Sequence, residues 1–149
     1  MSKTVAIVLS VIGGLVLLGI IIVGGLAFWV YRNKDRFVQS AEKVVKEGKE
    51  FGAKTNNIGC LNEALSRHKR DKSIMGRIST TTFLGVCLDE SSPSPGFCDD
   101  VPARGEIMKS SSWAMKKCSD SGMPNDQGCV QVLGAVQAYC QKRTHSPEK

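Results

Sequence analysis

From Thr4 to Tyr31 the chain carries no charged side chain over 28 residues, TVAIVLSVIGGLVLLGIIIVGGLAFWVY. A helix needs about 20 apolar residues to cross the hydrocarbon of a bilayer. Backbone polar groups in lipid must be satisfied within the segment, which a helix does and an open strand does not. The run therefore predicts one transmembrane helix over residues 4–31. A short tail, residues 1–3, precedes it, and residues 32–145 form a soluble domain with a frayed end at 146–149.

The flanks fit a helix that stays in the membrane. Trp29 and Tyr31 close the run, and Arg32, Lys34 and Arg36 follow. Aromatic rings with a polar tip settle at headgroup level, and long basic side chains reach phosphates. A cleaved secretory signal is the alternative, because Gly25-Leu26-Ala27 supplies small residues for cutting after Ala27. The apolar run exceeds the usual signal core of about 7–15 residues, which favours a signal-anchor. A lipoprotein signal is excluded because the first cysteine is Cys60.

At 100° per residue, Ala6, Ser10, Gly13, Gly14, Gly24 and Gly25 share about a third of the helix circumference. Small residues on one face let two spans approach closely. This face is expected to pack on a partner span, either a second copy or another protein.

Two signals disagree about sidedness. Lys3 stands before the run, and Arg32, Lys34, Arg36, Lys43, Lys46 and Lys49 after it, which places the soluble domain in the cytoplasm. The cysteines argue the reverse. Cys60, Cys87, Cys98, Cys118, Cys129 and Cys140 all follow the run, and no pair forms CxxC. Six cysteines without metal spacing read as three disulfides, which persist in oxidising compartments. The charge rule is weak for long translocated domains, so the C-terminal domain is expected outside the cytoplasm.

The soluble part reads as all-α, a stapled bundle of about four helices. One long helix is expected from Asn33 to Asp71. Phe37, Val44, Phe51, Ile58 and Leu65 repeat every seven residues, with Ala41, Gly48, Thr55 and Asn62 between them. The basic cluster Arg67–Lys72, including His68, would then be a solvated helix end. A second helix is expected over Ser73–Leu88, with Ile74, Ile78, Phe83 and Leu84 inward. A loop over Glu90–Gly96 follows. A third helix starts near Pro102 and runs to Ser119. A fourth, capped by Asn125 or Asp126, sets Cys129, Leu133, Val136 and Cys140 at 4,3,4 spacing on one face. With the helices up and down in order, the pairing is Cys87–Cys98, Cys118–Cys129 and Cys60–Cys140. The competitor joins Cys60–Cys87 and Cys98–Cys140. Loops of these lengths each restrict the unfolded chain by about 3–5 kcal/mol.

Catalytic and cofactor signals are missing. There is no HExxH, GxSxG, P-loop or GxGxxG. His68 and His145 stand alone in basic or tail contexts and do not read as buried bases. Asp99-Asp100 reads as charge compensation at a helix start rather than a cation site. The expectation is a non-enzymatic protein with no cofactor, metal, nucleic acid or identified small-molecule substrate. Its work would be that of an accessory or interaction subunit of a membrane or envelope complex. Its partners are membrane lipid and a protein or second copy met through the span. After the run, Lys and Arg exceed Asp and Glu by five, a mild pull toward acidic partners or anionic headgroups.

Overall fold

A computed structural model describes residues 3–103 and 105–145. It is all-helical among the described residues: α1 (Lys3–Gly52), α2 (Asn57–Arg70), α3 (Ile74–Glu90), α4 (Ile107–Asp120) and α5 (Gln127–His145). The chain divides into two compact units, residues 1–40 and residues 41–149.

In the first unit the described part is helix alone. Ile12–Trp29 is long and apolar enough to cross a membrane, and none of it is buried within the chain. Gly13, Gly14, Gly24 and Gly25 have open space where a Cβ would stand. Ala6, Ser10, Lys34 and Arg36 also lie on α1. Residues 146–149, expected as a frayed tail, are outside the described residues.

The second unit is a bundle of residues 41–52 of α1 with α2, α3, α4 and α5. Its core is Ala64, Leu65, Phe83, Leu84, Leu88, Val132, Leu133 and Val136, together with five of the six cysteine side chains. Val44 packs on its edge. Burying about ten such side chains, each contributing about 1.5–3 kcal/mol, is a modest core that cross-links reinforce. The inward face expected for the last helix is the observed one. Cys129, Leu133, Val136 and Cys140 are all buried on α5.

The single helix expected over 33–71 is two helices. The chain turns through Ala53–Thr55, and Asn56 caps α2 by accepting the Gly59 amide at 2.9 Å. Thr55 and Asn57 exchange backbone hydrogen bonds with Ser92, which pins this turn to the start of the 91–106 loop. The seven-residue stripe is kept only in part: Val44 and Gly48 before the turn and Leu65 after it face the core, but the positions between them past the turn do not. Gly48 is buried and Phe51 lies 5.8 Å from the Phe83 ring, whereas Ile58 and Asn62 face solvent. A Cβ at Gly48 would meet the Phe83 carbonyl at 3.1 Å, and one at Gly52 would meet the Cys87 carbonyl at 2.6 Å. The small side of the stripe is where α3 presses close.

Two further expectations change. Ile74 and Ile78 are exposed, because α3 turns Gly76, Thr80, Phe83, Leu84, Cys87 and Leu88 inward instead. The third helix starts at Ile107, not Pro102, and Asp99-Asp100 lies in the preceding loop. Its far end matches the sequence: Gly122 at φ 75° closes α4, with the Met123 amide bonded to the Cys118 carbonyl.

Candidate functional site

The cysteines form Cys60–Cys87, Cys98–Cys140 and Cys118–Cys129. The first bond ties α2 to α3, the second the 91–106 loop to the end of α5, and the third the end of α4 to the start of α5. The order expected first was right for Cys118–Cys129 and wrong for the other two; the competing pairing is the observed one. The physical reason lies in α2. Once the chain turns at Ala53–Thr55, Cys60 sits at the start of α2, opposite the end of α3 where Cys87 lies. Cys98 is then left facing Cys140.

Above Cys60 and Cys140 a buried amide connects the same segments. Asn57 is buried, donates to Ser91 Oγ at 2.8 Å and Tyr139 Oη at 3.2 Å, and accepts from the Ser94 amide at 2.9 Å. It is thus bonded to α5 and to two points of the 91–106 loop. Beside it lies a cleft of about 250 Å³ lined by Asn57, Ser94, Phe97, Asp99, Tyr139 and Arg143. Phe97 meets Tyr139 edge-on at 6.3 Å, and the Arg143 guanidinium stacks over the Tyr139 ring. The cleft offers an aromatic wall with one cation and one anion at its mouth.

Within the basic cluster at the end of α2, Lys69, Arg70 and Lys72 are exposed, as a solvated helix end requires, but His68 is drawn into the bundle. His68 is 1% exposed, and its Nε2 lies 3.1 Å from Asp126 Oδ1. Lys72 Nζ donates to Asp126 Oδ2 at 2.8 Å, and Asp126 also accepts the Cys129 amide at 3.0 Å, capping α5. The Lys72 ammonium, with these other donors, holds the Asp126 carboxyl well below the usual carboxylate range. Gly128 allows His68 in, since a Cβ there would meet the ring at 2.6 Å. His68 Nδ1 has no hydrogen-bond partner among the described residues. His68, Lys72 and Asp126 together join the end of α2 to the cap of α5.

Arg67 does similar work at the other side of α2. It donates to Glu63 at 2.9 Å and Glu47 at 2.8 Å, and its guanidinium sits 3.8 Å over the Phe83 ring. Asp100 pairs with Lys117 at 2.8 Å, which lowers its pKa; it serves α4 through its last turn, not its first. No group of three or more His, Cys, Asp or Glu able to hold a metal occurs among the described residues.

Asn57 and Arg67 hold more of the bundle together than their places in the sequence suggest; Asp126 is the expected cap with the Lys72 and His68 bonds added. The Asn56-Asn57 pair is a capping signal three residues before Gly59, so the break between α1 and α2 was available there. The partners of Asn57 lie 34 and 82 residues away, and no local pattern shows them. Trp29, Tyr31 and Arg32 are exposed on α1. No known family model matches this chain, and no curated protein or solved structure proves similar to it.

Proposed function

We propose that this chain is a single-span membrane protein whose disulfide-held helical domain lies outside the cytoplasm and serves as an accessory subunit or binding module of a membrane or envelope complex, without catalysis of its own. The observation that carries the reading is the direct joining of an uncharged 28-residue run to a domain in which every cysteine is paired. An apolar helix with none of Ile12–Trp29 buried exposes large aliphatics that water does not tolerate, and lipid covers them. Paired cysteines imply an oxidising side. The Gly13, Gly14, Gly24 and Gly25 face and the cleft around Asn57 are the surfaces offered to protein partners.

The alternative is a secreted binding protein cut after Ala27. Against it, the uncharged run exceeds the usual signal core of about 7–15 residues. Alkaline extraction of native membranes and the intact mass of the purified chain separate the two. The reading expects the full-length mass in the alkali-resistant pellet. A soluble chain beginning at Phe28 would overturn it, as would six thiols accessible to a membrane-impermeant maleimide from the cytoplasmic side. Capture from gently solubilised membranes tests the accessory role: a stoichiometric complex is expected, and a lone monomer counts against it.

A further inference from the structure

The second unit has a direction. Arg67 meets Glu47, Gly48 lies against Phe83 and Val86, and Gly52 lies against Cys87 and Glu90. Residues 41–52 and α3 therefore run the same way, and α2 runs against them. Ile74 precedes Phe83 by nine residues and Ala41 precedes Gly48 by seven, so both lie ~10–13 Å toward the same end of the bundle. That end holds the start of α3, the end of α2 and the point where the chain arrives from the uncharged run. Only nine residues lie between Tyr31 and Ala41, and a chain of that length reaches at most ~35 Å.

At this end three large aliphatic side chains face outward: Ile74, Met75 and Ile78 are 67%, 58% and 56% exposed. Further along the same side of α3 the exposed positions become polar, at Thr82 and Asp89. Around the aliphatics, residues 66–78 hold five Lys and Arg against the single acid Asp71. Lys69, Arg70 and Lys72 are exposed, with Arg70 paired to Glu63 and Lys72 to Asp126. Apolar side chains ringed by cations, at the tethered end of a domain, have the chemistry of a contact with a bilayer surface. Aliphatics settle at the boundary of headgroup and acyl chain, and ammonium and guanidinium groups pair with anionic headgroups.

We propose that the α2–α3 corner docks on the surface of the bilayer that α1 spans, with Ile74, Met75 and Ile78 among the headgroups and Lys69 and Arg70 on anionic phosphates. This rests on reading α1 as a span.

The test uses the full-length chain reconstituted in vesicles of phosphatidylcholine alone or mixed with phosphatidylglycerol. A benzophenone side chain replaces Ile78, or, at the opposite end of the bundle, Lys54. Irradiation should give lipid adducts from position 78 and few or none from 54. The position-78 yield should rise several-fold with phosphatidylglycerol. Lys69→Glu combined with Arg70→Glu should lower it again, by about fivefold for each basic residue removed. Unchanged mobility without reductant shows that the disulfides, and with them the fold, survive each change. Alkali extraction of the same vesicles keeps the two readings apart. A chain retained in the pellet but giving no lipid adduct at 78, or adducts only with protein, overturns the docking and leaves the span standing. A chain released by alkali overturns the span itself.

Discussion

Asn57 shows how much one buried side chain can hold. Its amide bonds Ser91, Ser94 and Tyr139, and an Asn57→Leu substitution would take this partner from the buried Tyr139 hydroxyl and from the Ser94 amide, while Ser91 keeps its bond to the Leu88 carbonyl. The expected loss is about 2–4 kcal/mol, read from urea unfolding of the detergent-solubilised chain. Asp126 makes a pH-dependent contribution. Its pKa is depressed in the folded state by Lys72 first, so its stabilisation is present above the ordinary range near 4 and is lost as pH falls toward the folded value. The wild-type urea midpoint should therefore fall on acidification below about pH 4, and Asp126→Asn, less stable at neutral pH, should fall less steeply. Equal slopes would refute the assignment. Neither Asn57 nor His68 was legible as a site in the sequence. Asn57 reads as part of a turn, and His68 reads as one more cation in a basic run. Their burial is decided by α5 and the 91–106 loop, which are remote in the chain. The Asp126 cap was legible, because an Asp before an apolar helical stripe has a local reason to be there.

At the scale of elements, α3 is the helix to which the others adjust. Gly48 and Gly52 of α1 sit against its backbone, so the two helices lie closer than side chains at those positions would allow. Gly52→Ala should destabilise by about 1–3 kcal/mol, because the new methyl meets the Cys87 carbonyl and not a side chain that can swing aside. Gly134→Ala on α5 provides the contrast. Nothing lies within 4 Å of its Cβ position and the residue is exposed in mid-helix, so stability should rise by about 0.5–1 kcal/mol. Thermal unfolding of the two variants beside the wild type reads both signs. The seven-residue repeat revealed the close face of α1 and also misled, since it continues smoothly across the turn at Ala53–Thr55. Periodicity records which side of a helix is apolar and is blind to where the helix stops. Capping residues record the stop, and here Asn56 outweighs the repeat. On α3 the same rule failed in another way: Ile74 and Ile78 fit a helical stripe, yet Phe83, Leu84, Cys87 and Leu88 claim the interior.

For the molecule as a whole, three cross-links close separations of 27, 42 and 11 residues. In the chain-entropy treatment these limit the unfolded chain by about 3.5, 4 and 3 kcal/mol respectively. Replacing Cys98 and Cys140 with alanine together should therefore cost the most, and Cys118 with Cys129 the least, as judged by denaturant midpoints. Peptide mapping without reduction should recover the three observed links and no Cys87–Cys98 link. All-helical architecture, the uncharged run and the existence of three bonds could all be read from residue types and spacing. Which sulfur meets which could not, because it depends on one turn between α1 and α2. That pairing also bears on how the protein is made. Cys60 and Cys87 are neighbours in the order of synthesis, but Cys98 must pass over both Cys118 and Cys129 to reach Cys140. Thiols oxidised strictly as they emerge would trap Cys98 on Cys118 and strand Cys129 with Cys140. A host able to reshuffle disulfides would thus yield native protein where a merely oxidising one would accumulate scrambled chains.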